Sequence, residues 1–267
     1  MNHKILFFGM SFLFLANLSC KNNGTTNSLV PETPSPKKNL DSTTCLDGAR
    51  ITVDSFVLEN NVWGKGNLTN YQQCITARQN DFATIFAWQW TWPEVGNNVK
   101  SYPEIIFGYK PFGNTTTTPL LPKKIADLQS AVVSFSSYAT TITGSGNLAF
   151  DIWITDSPTP AQSNIKHEIM IWFEKRVQQP AGTFVEKVTI DGSTYDYYRG
   201  PLSWDYIAFV KTSTNKVSSV NISEFLTYLK NKNHIDANEF LSAIEFGNEV
   251  ISGTGFTVIT NYKIEIK

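Results

Sequence analysis

Thr84-Ile85-Phe86-Ala87-Trp88-Gln89-Trp90-Thr91-Trp92 carries an aromatic ring at every second position from Phe86 onward. Successive side chains of an extended chain point to opposite faces, so Phe86, Trp88, Trp90 and Trp92 share one face of a strand and read as a core stripe. Alternating runs recur at residues 131–136, 147–155, 168–175, 184–190, 203–210 and 257–266. Between them Gly113-Asn114, Gly144-Ser145 and Asp191-Gly192 supply hairpin turns. One helix is expected over residues 222–230, with Asn221 as N-cap, Glu224 three residues on, and Phe225, Leu226 and Leu229 as its apolar side. Short strands at this spacing predict an all-β, two-sheet antiparallel sandwich with one covering helix.

The 267 residues hold 22 Lys plus Arg against 23 Asp plus Glu, a net charge of −1. Charged residues make up only 17% of the chain, which argues against nucleic acid as a partner, because phosphate-backbone affinity needs a basic patch. Aromatic residues reach 13%, providing flat apolar faces of the kind on which sugars stack. At the N-terminus, Asn2-His3-Lys4 precedes an uncharged apolar run over residues 5–16, then Asn17-Leu18-Ser19-Cys20. That pattern is a signal peptide over residues 1–19, too short to span a membrane, with a lipoprotein-like cleavage point before Cys20. Asn17 stands where such a box usually has Leu, and plain secretion is the alternative to lipidation at Cys20. Residues 20–44 are poor in large apolar groups and read as a disordered tether. The folded domain is expected over 45–267, exported and held at the cell envelope through Cys20 or secreted, and monomeric. In an export compartment Cys45 and Cys74 pair by default, a bridge of about 3 to 4 kcal/mol, with two separately buried thiols as the alternative.

Beyond the signal peptide only His167 and His234 carry imidazole, and no C-x-x-C, H-E-x-x-H or Asp-rich calcium loop occurs. No metal and no cofactor is therefore expected. G-x-S-x-G, G-x-G-x-x-G and P-loop patterns are missing as well, and both histidines read as turn or surface residues. Carboxylates and aromatics remain, the equipment of glycoside hydrolysis. In residues 167–173, Glu168, Met170 and Trp172 share one face, and Ile169, Ile171 and Phe173 share the core face. A Glu on a wet face beside two half-buried side chains is the plain alternative to a cleft. Residues 150–154 place Asp151 with Trp153 opposite a core face of Phe150, Ile152 and Ile154. Residues 244–250 place Glu245, Gly247 and Glu249 together; Gly247 leaves room for a ligand beside Glu249 or marks a bulge.

Taken in order, Asn60-Asn61-Val62-Trp63-Gly64, Trp88-Gln89-Trp90, residues 98–104, Phe150-Asp151-Ile152-Trp153, Glu168-Ile169-Met170-Ile171-Trp172 and Gly247-Asn248-Glu249 resemble glycoside hydrolase family 12. The resemblance implies a β-jelly-roll endoglucanase or xyloglucanase, with the specific signal in E-x-M-I-W and the late G-x-E. It implies Glu168 as nucleophile, Glu249 as general acid/base and Asp151 as the acid supporting the nucleophile. It further implies Trp63 as a donor-side sugar platform with Asn61 hydrogen-bonding nearby, Met170 and Trp172 shaping the site, and an N-terminal disulfide at Cys45 and Cys74. Retaining hydrolysis of β-1,4-glucosidic bonds needs two carboxyls about 5 to 5.5 Å apart, with Glu249 protonated while Glu168 stays charged. The partner is a β-glucan, cellulose-type or mixed-linkage, with xyloglucan as the alternative substrate and a non-catalytic carbohydrate-binding lipoprotein as the rival class. The Thr-rich loop over residues 111–121 and Trp92-Pro93-Glu94 depart from the family pattern and put subsite preference in doubt.

Overall fold

The computed structural model describes residues 39–267 apart from residue 114. The signal peptide, Cys20 and most of the tether lie outside the described residues, as does half of the Gly113-Asn114 step. In chain order the strands are β1 (Leu40–Thr44), β2 (Arg50–Val53), β3 (Phe56–Glu59), β4 (Gln72–Gln79), β5 (Thr84–Trp92), β6 (Glu104–Gly108), β7 (Lys123–Lys124) and β8 (Ala131–Thr141). They continue as β9 (Ser145–Thr155), β10 (Ile165–Arg176), β11 (Thr183–Ile190), β12 (Ser193–Pro201), β13 (Asp205–Lys211), β14 (Ser219–Asn221), β15 (Phe240–Gly247) and β16 (Val250–Ile266), with helix α1 (Ile222–Asn231) after β14.

Two sheets form. Sheet A runs β1-β4-β5-β16-β8-β14, and sheet B runs β2-β3-β6-β15-β9-β10-β13-β12-β11 with β7 on β15. Every pairing is antiparallel except β10 with β13, which is parallel and corrects the all-antiparallel expectation. A parallel neighbour needs a crossover, and the β11–β12 hairpin provides it: the chain leaves β10, forms the sheet edge, and returns as β13.

The aromatic stripe of β5 faces inward, with Trp88, Trp90 and Trp92 each 2% exposed. It joins Phe150, Ile152, Ile171, Phe209 and Phe246 of sheet B in one core. Phe150 stacks on Phe246 at 4.3 Å. Gly255 is required here, because a Cβ at that position would lie 2.2 Å from the Trp90 ring. The helix extends one residue past its expected end, and Asn221 caps it by accepting from the Ser223 N–H at 3.2 Å. Its buried side, Ile222, Phe225, Leu226 and Leu229, packs toward β8 and β11.

The domain begins earlier than residue 45. Leu40–Thr44 pairs along its whole length with β4, so the last five residues assigned to the tether are strand. Cys45 follows at once and is bonded to Cys74 of β4, which ties this edge to sheet A.

Candidate active site

Sheet B has one face on the core and an outer face that gathers the polar residues. Across β3, β6, β15, β9, β10, β13, β12 and β11, register aligns Val57, Ile106, Glu245, Asp151, Met170, Ala208, Tyr198 and Phe184 in one transverse row. One row along, Trp153, Glu168 and Tyr206 are aligned; on the other side, Gly247, Ala149 and Trp172. The parity of β10 thus puts Glu168, Met170 and Trp172 on the outer face and Ile169 and Ile171 in the core.

Glu168 is 8% exposed, and its Oε2 accepts a hydrogen bond from the Trp204 indole at 2.5 Å. Its Oε1 has no partner among the described residues. Burial, and the charge of Glu249, raise its pKa to about 8 against the opposing pull of the Trp204 bond.

Glu249 lies in a break between two strands and keeps the outward side that parity assigns it. β15 ends at Gly247 and β16 starts at Val250. Asn248 is pinned inward, its Oδ1 accepting from the Trp88 indole at 2.7 Å and from the Thr257 hydroxyl at 2.6 Å. Glu249 consequently turns outward, and Asn147 grips it twice: Asn147 Oδ1 accepts from the Glu249 N–H at 2.9 Å, and Asn147 Nδ2 donates to Oε2 at 2.6 Å. Gln178 Nε2 donates to the same Oε2 at 2.8 Å. Burial raises this carboxyl to about 7, opposed by the Asn147 and Gln178 bonds.

Both acids thus have one oxygen tied down and, among the described residues, one without a partner. The expected division of protons is not built into the protein's own hydrogen bonds, because Glu249 receives two amide donors and Glu168 one indole. One proton shared between coupled acids has two arrangements that titrate alike. A glycosidic oxygen beside Glu249 favours the arrangement with the proton on Glu249, since it accepts that hydrogen bond.

Asp151 is 7% exposed and sits between Met170 and Glu245 in register. It makes no hydrogen bond to Glu168; its Oδ1 is buried without a partner, and burial followed by the Glu168 charge raises its pKa well above the usual range. Met170 and Trp172 are 1% exposed and bonded to each other, the indole N–H donating to the thioether at 3.3 Å. They are packed floor. Trp63, in contrast, is 67% exposed. Asn61 is half-buried: its Nδ2 donates to Glu104 at 2.9 Å and its Oδ1 accepts the Trp63 N–H at 3.2 Å, so it fixes the turn that carries Trp63. Gly247 offers no space for a ligand, because a Cβ there would meet the Pro103 carbonyl oxygen at 2.3 Å; the close approach is made by the chain entering β6. His167 is neither turn nor surface. It lies on β10, 8% exposed, and bridges Asp205 at 2.9 Å and Glu239 at 3.2 Å.

Residues 54–267 match the family described as glycosyl hydrolase family 12. The chain belongs to this family. Endoglucanase S of Pectobacterium parmentieri is 30% identical over 222 residues, covering 80% of this chain and 83% of that protein. A xyloglucan-specific endo-beta-1,4-glucanase A of Aspergillus niger is 26% identical over 228 residues, covering 81% and 87%. Among solved structures, a family 12 xyloglucanase from Bacillus licheniformis in complex with ligand superposes with a TM-score of 0.75 at 27% identity, covering 85% of this chain and all of that one. An endoglucanase from Rhodothermus marinus gives 0.73 at 26%, covering 85% and 99%.

This family 12 site joins Glu245 to residues that strand patterning did not single out, Lys110, Glu104 and Glu59. Lys110 Nζ lies 2.5 Å from Glu104, 3.5 Å from Glu245 and 3.8 Å from Glu59. Burial works against the Lys110 charge, but the three carboxylates outweigh it and raise its pKa. Glu104 is fully buried, and burial followed by the charge of Glu245 lifts its pKa well above the carboxylate range. The signal for this lattice is an acid inside an apolar strand, as in Glu104-Ile105-Ile106-Phe107 and Ala243-Ile244-Glu245-Phe246. Trp204, Asn147 and Gln178 have no comparable signature.

Proposed function

We propose that this family 12 glycoside hydrolase is a retaining endo-β-1,4-glucanase in which Glu168 is the nucleophile and Glu249 the general acid/base. The observation that carries the reading is the pair itself: two acids of raised pKa, Glu168 on the outer face of sheet B and Glu249 held beside it by Asn147 of β9, each with a single oxygen held by donors and the other left for chemistry. Glu168 Oε1 attacks the anomeric carbon as the glycosidic C–O bond breaks, and Glu249 gives its proton to the departing oxygen. Water then adds to the anomeric carbon, Glu249 takes a proton from it, and the ester bond to Glu168 breaks. Asp151 beside this pair is held toward its protonated form by burial and by the Glu168 charge, so it adds little charge until Glu168 loses its own in the glycosyl ester; Trp63 offers an open ring for stacking.

Glu249→Gln is expected to lower kcat on an unactivated glucan by about 100- to 10,000-fold, and Glu168→Gln to abolish covalent labelling by a 2-fluoro cellotrioside. Full turnover in Glu168→Gln sinks the nucleophile assignment. Xyloglucan is the second substrate reading, favoured by the xyloglucan-specific relatives; relative kcat/KM on carboxymethylcellulose, mixed-linkage β-glucan and xyloglucan decides between them. The Cys45–Cys74 bridge supports an exported protein. The finer proposal is a lipid anchor at Cys20, and mass spectrometry finding an unmodified mature N-terminus rejects it.

A further inference from the structure

Phe184 is 54% exposed and Tyr198 is half-buried, and neither ring belongs to the core between the sheets. Both continue the row that passes through the catalytic floor: Met170 is registered to Ala208, Ala208 to Tyr198, and Tyr198 to Phe184. Tyr198 packs against the outer-face cluster that contains Met170 and Ala208, which fixes the face it occupies. The two rings meet edge to face with centroids 5.8 Å apart. With strands about 4.8 Å apart, they stand about 10 and 15 Å from β10, on the side opposite to β9, β15, β6 and β3, the last of which leads in the chain to Asn61 and Trp63.

We propose that Phe184 and Tyr198 form a second sugar platform, which takes the glucan chain on the far side of Glu168 and Glu249 from Trp63. This rests on the catalytic reading of that pair. The occupant is an uncharged polysaccharide, because the charged residues of β11 and β12 are already paired: Glu186 with Lys232 at 2.7 Å, Lys187 with Asp196 at 2.5 Å, and Arg199 Nε with Asp205 at 2.8 Å. An acidic or basic ligand finds no unpaired counter-charge there, whereas a chain of pyranose rings needs only apolar ring faces in line with the cleft. The row also explains why an exposed Phe is tolerated at a sheet edge, where a bare ring otherwise invites association.

The test compares a chain that reaches the platform with a substrate that does not. For Phe184→Ala and Tyr198→Ala, kcat/KM is measured on cellohexaose and on a nitrophenyl cellotrioside, which carries no sugar on the leaving side. The ratio of the two is expected to fall about 3- to 10-fold, and a ratio measured within one preparation does not depend on how much of the variant folds. Binding is read without turnover by calorimetry of cellohexaose on Glu168→Gln with and without Phe184→Ala, where Kd is expected to weaken by a similar factor. This second measurement keeps the platform testable even if Glu168 is not the nucleophile. An unchanged ratio together with an unchanged Kd overturns the platform.

Discussion

Among the described residues, Trp204 supplies the one N–H that Glu168 Oε2 accepts. It sits in the turn between β12 and β13, directly before Asp205, which Arg199 and His167 hold with three N–H donors. This lattice anchors the turn and so the indole. Trp204→Phe keeps a ring and removes only the donor, which opposes the raised pKa of Glu168. The acidic limb of the kcat/KM profile is therefore expected to move to higher pH, with kcat reduced about 10-fold, the weight of one hydrogen bond to a charged group. A limb that stays in place shows that the indole does not tune the nucleophile. The contact joins residues 36 apart in sequence, and nothing local to Trp204 announces it. Glu168, Met170 and Trp172 were legible for the opposite reason, since strand parity separates them from Ile169 and Ile171 without any knowledge of the fold.

At the scale of single elements, legibility followed alternation. β5 was readable to its ends because one face is core and the other solvent. β6 was not: all five of its residues are buried, with Leu58 and Phe246 neighbours on the core side and the Lys110 lattice on the other, so period two disappears. The β15–β16 region read as one strand, yet Asn248 and Glu249 interrupt it; their sides still follow parity, with Asn248 bonded into the core beside Phe246 and Val250 and Glu249 turned outward. The helix was readable from its cap. Asn221→Ala removes the acceptor for the Ser223 N–H and is expected to cost about 1 kcal/mol, measured as a lower urea midpoint with unchanged slope; no change in midpoint argues that β14 pairing alone holds this end.

For the molecule as a whole, buried acids tie stability to pH. The folded pKa of Glu168 stands at about 8, above its ordinary value of 4.5. The folded state therefore holds this proton more tightly than the unfolded one, and the resulting stability is fully present below about pH 4.5 and lost as pH rises through about 8. His167 acts in the same direction: burial opposes its charge, but hydrogen bonds to Asp205 and Glu239 outweigh it, so its contribution is present below 6.5 and lost above its raised value. Wild-type Tm is expected to fall between about pH 5 and pH 9. Glu168→Gln, which cannot ionise, is expected to fall less, so a gap between the two that does not change with pH contradicts the linkage.

The two acids also belong to different parts of the sandwich. Glu168 lies within sheet B, whereas Glu249 sits at the root of β16, which touches β9 of sheet B at Val250 and Ser252 and crosses to sheet A from Gly253 onward. Their separation is thereby a gauge of how the two layers are seated on each other. Heat that loosens this seating is expected to blunt the chemistry while every strand is still paired, so that activity is lost at a lower temperature than the strand signal in circular dichroism.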